Sequence, residues 1–123
     1  MKILSVDDST VVRKIIRSAI GVLGHDFAEA EDGEEALSLL ETEYSDIGLI
    51  LLDWNMPGLN GYEVLLILKE DERYKDIPVM MVTTESEKSN IVSAVRAGAI
   101  NYLTKPFSNE DLLTKIMECT GGV

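Results

Sequence analysis

Several things are scarce in this sequence, and each scarcity narrows what the chain can be. One cysteine, Cys119, among 123 residues cannot close an internal disulfide, and a chain of this length buries enough core to fold without covalent staples. No apolar run reaches the roughly 18–20 residues that a membrane span needs, and no basic-then-apolar leader opens the chain. Basic residues are few: 11 Lys and Arg stand against 22 Asp and Glu, for a net charge of −11. Nucleic-acid binding needs a basic face to displace counterions, so this balance excludes nucleic acid as a partner. The single histidine, His25, follows Gly24 and reads as part of an exposed turn. There is no linker, internal repeat or low-complexity segment. The expectation is one folded domain over residues 1–123, in a reducing cytoplasm and without a membrane partner.

What is present is a regular alternation. "KILSV" (2–6) reads as a strand, followed by "TVVRKIIRSAIGVLG" (10–24), a helix with Val12, Ile15, Ile16, Ala19 and Leu23 on one face. "DFAEAE" is a half-polar strand. Asp32 then sits three residues before Glu35, the spacing of a helix start. "IGLILLD" (47–53) is a fully apolar strand, and Asn60 with Glu63 opens a third helix through "YEVLLILKE". That segment is ambiguous by period, but its cap and its place between two strong strands favour helix. "IPVMMVT" (77–83) is a fourth strand, and "KSNIVSAVRAG" is a helix closed by Gly98. "INYLT" is a short fifth strand, and Ser108 begins a last helix that ends before Gly121 and Gly122. Five strands alternating with five helices predict right-handed crossovers and an open parallel sheet covered on both faces. The two apolar strands belong at its centre.

Ligand sites in such sheets lie beyond the carboxyl ends of the strands. Those ends are occupied by Asp7 and Asp8, by Asp53, by Thr83 and Thr84, and by Lys105. Each has an ordinary reading: the aspartates end strands or cap helices, Thr83 is a strand residue, and Lys105 is a solvated loop lysine. Together they place three carboxylates, two hydroxyls and one ammonium along one edge. Neighbouring carboxylates repel unless a cation neutralises them. Hard oxygen donors suit Mg²⁺, which typically binds through one or two carboxylates plus a phosphate. A carboxylate cluster beside a lysine is the chemistry of phosphoryl transfer, with an aspartate as nucleophile.

The segments "VDDST", "LLDWNMPGLNG", "VMMVTTE" and "YLTKPF" resemble the receiver domain of two-component response regulators, most of all the single-domain CheY type. The resemblance covers essentially the whole chain. It implies a (βα)5 doubly wound, flavodoxin-like sandwich: a five-stranded parallel sheet with helices on both faces. CheY is itself a standard example of the strand order 2-1-3-4-5, so that order comes from resemblance and not from spacing. By position, Asp53 is then the phosphoacceptor for a phosphohistidine on a sensor histidine kinase or histidine phosphotransfer protein. Asp8 and Asp53 would hold Mg²⁺ (or Mn²⁺), with Asp7 acting largely through water and the Asn55 backbone carbonyl as a further ligand. Lys105 would contact the phosphoryl oxygens, Thr83 would bond the phosphoryl group, and Tyr102 would be the aromatic switch behind Thr83. Asn55 and Glu85 would tune the lifetime of the acyl phosphate. The Lys105–Pro106 bond is expected to be cis. No site in the chain, His25 included, reads as a phosphohistidine donor.

The resemblance further implies a signalling protein rather than an enzyme, one that assists its own phosphorylation and dephosphorylation. Output would pass to a protein partner through the fourth helix, fifth strand and fifth helix. The chain would act as a monomer, with a phosphorylation-dependent dimer as the alternative. That face includes Lys88, Ile91, Tyr102 and Lys115, but Glu87 and Glu118 interrupt the basic pattern typical of flagellar-motor binders. Three other readings compete. An aspartyl-phosphate phosphatase wants an acid where Asn55 stands, and a flavodoxin-like binder would find its phosphate repelled by "DDST". The chain could also be the receiver part of a longer regulator, with Gly121 and Gly122 beginning a linker.

Overall fold

The computed structural model describes residues 1–121; Gly122, and with it part of the suggested linker, lies outside them. Strands β1 (Lys2–Val6), β2 (Asp26–Ala30), β3 (Ile47–Leu52), β4 (Val79–Thr83) and β5 (Asn101–Thr104) alternate with helices α1 (Thr10–Val22), α2 (Gly33–Glu43), α3 (Gly61–Glu70), α4 (Lys88–Arg96) and α5 (Asn109–Thr120). All strand pairs are parallel, and the sheet order is β2-β1-β3-β4-β5, as the resemblance implied.

The side-chain alternation of the strands divides the core in two. Leu4, Val6, Ile50, Leu52, Val79 and Met81 face one side, where Ala36, Leu40, Val64, Leu65, Leu68 and Ala94 of α2, α3 and α4 cover them. Ile3, Leu49, Leu51, Met80 and Val82 face the other, under Ile16, Ala19 and Ile20 of α1 and Leu112 and Ile116 of α5. β3 and β4 are buried on both faces, which is why they read as unbroken apolar runs. Among the described residues no helix is long and apolar enough to cross a membrane.

Local signals act where the sequence suggests. The Asn60 side chain accepts the Glu63 N–H, and the Glu63 side chain accepts the Asn60 N–H, a reciprocal capping box that starts α3. Asp32 and Ser108 cap α2 and α5 by accepting the N–H three residues on. The segment "YEVLLILKE" is helical because Val64, Leu65 and Leu68 turn inward together at a spacing that only a helix puts on one face.

Three expectations are revised. Ile15 is 40% exposed, and Ile20 takes its place in the core beside Ile16 and Ala19. The helical period carries Ile15 round to the edge of α1 facing α5, where it lines an open cavity with Ala19, Asn109 and Leu113. β4 begins at Val79 rather than Ile77, because Pro78 has no N–H to give a ladder and the Ile77 N–H closes a turn on Tyr74. Gly98 closes α4 as expected, one residue past the C-cap Ala97, with a φ of 115° that favours glycine. His25 is buried, not exposed: its N–H reaches the Ile20 carbonyl, the next residue's N–H reaches the Met1 carbonyl, and the Met1 amine lies 3.2 Å from its Nδ1. The β1–β2 pairing thus folds the turn inward over the ring.

Leu65→Ala and Leu68→Ala are each expected to lower unfolding free energy by about 2–5 kcal/mol. Ile67→Ala, at 39% exposure, should lower it by about 1 kcal/mol or less. Urea denaturation of the three variants checks this directly.

Candidate functional site

The sheet register assembles the site. Val6 pairs with Leu52, so the next residues, Asp7 and Asp53, leave β1 and β3 side by side. The Asp53 N–H donates to the Val6 carbonyl at 3.0 Å, and the Asp7 N–H donates to the Ala30 carbonyl at 3.1 Å, so both residues remain tied to the sheet. Thr83 pairs with Thr104, and the Lys105 N–H donates to the Thr83 carbonyl at 2.8 Å. The bond that follows, Lys105–Pro106, is cis.

Three of the expected residues meet through one ammonium. Lys105 Nζ donates to Asp7 Oδ2 at 2.6 Å and to Asp53 Oδ2 at 3.1 Å. Asp7 and Asp53 are 1% and 5% exposed, whereas Asp8 faces solvent. One carboxylate oxygen from each of Asp7, Asp8 and Asp53 lies within 4.8 Å of the others. Burial raises the Asp7 carboxyl above its usual range, against the pull of Lys105 and of the Ser9 N–H. Burial presses the Lys105 ammonium down, but its hydrogen bond to Asp7 and the charges of Asp53 and Asp7 outweigh this and hold it above its usual range.

Three carboxylates against one ammonium leave two formal negative charges uncompensated, the charge of one divalent cation. The donors are hard oxygens, as Mg²⁺ and Mn²⁺ prefer. With one oxygen of each carboxylate within 4.8 Å of the others, a single ion can reach all three. The residues therefore fit such an ion.

The remaining expected residues form a second group. Thr83 is fully buried, and its Oγ1 accepts the Glu85 N–H at 3.2 Å. The half-buried Tyr102 hydroxyl donates to the Glu85 carbonyl at 2.6 Å. Burial raises the Tyr102 phenol to about 12, with the charges of Glu85 and Asp53 adding to it, so it stays a donor throughout the physiological range. The Glu85 carboxylate accepts from the Glu87 N–H at 3.3 Å and from Asn90 Nδ2 at 3.0 Å, which holds the start of α4, whose N-cap Glu87 makes no cap bond of its own. Asn55 is exposed; its N–H donates to Asp53 Oδ1 at 3.3 Å, and its side chain reaches Thr84 at 3.4 Å.

Two features were hidden in the sequence. A Cβ on Gly61 would stand 2.0 Å from the Asp53 carbonyl oxygen, so α3 starts directly against the backbone of Asp53, joined by the Gly61 N–H to the Trp54 carbonyl at 2.8 Å. Trp54 stacks on Tyr62 with ring centroids 5.2 Å apart. Neither has a local signal, because both depend on where α3 docks. The second feature is Arg13, whose Nη1 donates to the Asp7 carbonyl at 2.5 Å. Its one sequence signal is a cation in the first turn of a helix, where the backbone dipole disfavours it.

A parallel doubly wound sheet with an acidic cluster at the carboxyl ends of β1 and β3, and a lysine just past the edge strand β5, defines a receiver domain. The chain belongs to that family: the response regulator receiver domain profile matches residues 3–117. Within it, the chain is of the CheY type. It is 43% identical over 122 residues to a chemotaxis protein CheY homolog of Campylobacter jejuni, covering 98% of this chain and 93% of that protein. The structure of the chemotaxis protein CheY4 of Vibrio cholerae superposes with a TM-score of 0.87 at 31% identity, covering 96% of this chain and 97% of that one. The Mn²⁺-bound form of the response regulator Rcp1 superposes with a TM-score of 0.79 at 29% identity over 95% and 91% of the two chains.

Gly61→Ala must displace the Asp53 backbone or the start of α3. We expect a loss of about 1–3 kcal/mol in stability and a shifted Trp54 emission in the folded protein. Unfolding measurements paired with fluorescence spectra check both.

Proposed function

We propose that the whole chain is one receiver unit acting as a phosphorylation-dependent switch, with Asp53 as phosphoacceptor. The observation that carries this reading is a carboxylate held at the buried end of β3, bonded to Lys105 and within reach of Asp7 and Asp8. A carboxylate oxygen of Asp53 attacks the phosphorus of a phosphohistidine on a sensor kinase or phosphotransfer protein. The O–P bond forms as the P–N bond breaks, and the bonding pair returns to the imidazole nitrogen. Asp8 and Asp53, the Asn55 carbonyl, and Asp7 through water would hold Mg²⁺ or Mn²⁺. When bound, the metal supplies charge that offsets the incoming phosphoryl oxygens. Lys105 supplies the second cation and can turn from the carboxylates to those oxygens.

The phosphoryl group brings a charge of about −1.5 to −2 within reach of Thr83. The Thr83 hydroxyl accepts the Glu85 N–H and donates through its own proton, so moving Oγ1 toward a phosphoryl oxygen draws the acceptor away from the Glu85 N–H. Because the Glu85 carbonyl holds Tyr102, the ring and the start of α4 respond together. Moving a two-state switch from mostly off to mostly on takes about 5.5 kcal/mol, a magnitude that a few charge-assisted hydrogen bonds can reach. Asn55 and Glu85, two residues beyond Asp53 and Thr83, set the lifetime of the acyl phosphate.

Output leaves through α4, β5 and α5 to a protein partner in the cytoplasm, with the chain acting as a monomer. That face exposes Val92, Val95 and Ile100, and Lys115 is drawn toward Glu118 at 3.8 Å. Its mixed charge supports chemotaxis-like or other two-component signalling without singling out a flagellar motor. The protein turns over no separate substrate on this reading, although it assists its own phosphorylation and dephosphorylation.

Asp53→Asn is expected to abolish labelling by a small phosphodonor, while Cys119→Ser leaves it intact. Trp54 fluorescence should change on adding Mg²⁺ and again on adding beryllofluoride. Persistent labelling of the Asn variant would place the acceptor elsewhere.

A further inference from the structure

Asp7 has each of its polar groups engaged. Its N–H donates to Ala30, its carboxylate accepts from Ser9 and Lys105, and its carbonyl accepts from Arg13 Nη1 at 2.5 Å. The Arg13 contact runs against local preference. A cation in the first turn of a helix faces the positive end of the backbone dipole, and α1 carries no acid there to offset it. Arg13 leans back toward the helix start, as helical side chains do, and its side chain is only 14% exposed. Its Nε donates to Glu29 on β2 at 3.3 Å, and Glu29 is in turn held by Arg17, whose guanidinium lies 4.6 Å over the Phe27 ring. A planar guanidinium can serve two acceptors in set directions, which a lysine ammonium on a flexible stem does poorly.

The peptide joining Asp7 to Asp8 is planar. Holding the Asp7 carbonyl therefore also sets the plane from which Asp8 departs. Asp8 is exposed, so packing does little to aim it, although its carboxylate must meet those of Asp7 and Asp53. We propose that Arg13 is a positioning residue for the divalent-cation site: clamped between Glu29 and the Asp7 carbonyl, it fixes the Asp7–Asp8 peptide and aims Asp8 at Asp53. The inference rests on the reading of Asp7, Asp8 and Asp53 as the metal-holding trio. Simple charge compensation would have the opposite consequence, because a cation beside the site repels a metal ion and its removal tightens binding.

The test is a Mg²⁺ titration of the full chain read by Trp54 fluorescence, with thermal unfolding of the metal-free proteins alongside. Partners that orient metal ligands change affinity by about 10–100-fold when lost. Arg13→Met is expected to raise the Mg²⁺ Kd about tenfold, and Arg13→Lys to recover part of that loss. A Kd for Arg13→Met equal to or below that of the unaltered protein overturns the proposal. Should Arg13→Met fail to fold, Glu29→Met keeps the guanidinium and removes the acceptor that anchors it. Its weaker binding should persist at about 1 M salt, where the Debye length is about 3 Å; a difference that salt erases is a charge effect and overturns the positioning role. Failure of the underlying reading looks different: the unaltered protein and Asp8→Asn would then give the same response to Mg²⁺, and the proposal would fall with it.

Discussion

Lys105 bridges two buried carboxylates, 2.6 Å from Asp7 and 3.1 Å from Asp53, and the arrangement of the whole carboxyl edge depends on that bridge. Two like charges 4 Å apart repel by about 4 kcal/mol at an effective dielectric constant of about 20. Asp7 and Asp53 leave neighbouring strands side by side, and Asp8 stands next to them, so repulsion would spread this edge apart without a cation. One ammonium restrains the carboxylates without neutralising them. The residual negative charge suits a divalent ion. The apolar burial of β3 and β4 serves the same end, because a strand packed on both faces holds its last residue more rigidly than a surface loop can.

A second set of bonds connects this edge to the molecular surface. Glu85 sits at the junction: its N–H meets Thr83, its carbonyl meets Tyr102, and its carboxylate holds Glu87 and Asn90. A change at Thr83 cannot be confined to Thr83, since the same residue ties the hydroxyl to an aromatic ring and to the first turn of α4. Gly61 brings α3 against the Asp53 backbone. Arg13 ties the Asp7 carbonyl to Glu29 on β2.

Much of the fold was legible because periodicity and caps report local physics. Asn60 and Glu63, Ser108 and Asp32 marked helix starts that the structure realises through the same side-chain bonds. The strand order was legible only through resemblance, since no local signal says which parallel strands are neighbours. Ile15 and His25 show where local reading stops. Helical period assigns Ile15 to the apolar face, yet the width of the face that α1 buries is set by how α5 packs beside it. A lone histidine after a glycine looks exposed until β1 and β2 pair and close over it.

For the candidate site, the sequence by itself determined the chemistry: which strand ends carry carboxylate, hydroxyl or ammonium groups, and how apolar the strands behind them are. These follow from residue type and from a period of two, both properties of a few neighbouring residues. Only the tertiary structure decided the register that brings Asp7 and Asp53 together, the reach of Lys105 to both, and the contacts of Gly61 and Arg13. Those depend on segments far apart in the chain, from Asp7 to Lys105 and from Arg13 to Glu29. The reason is physical: hydrogen-bond register and helix docking are settled by burial summed over the whole sheet, so distances across it have no local signature.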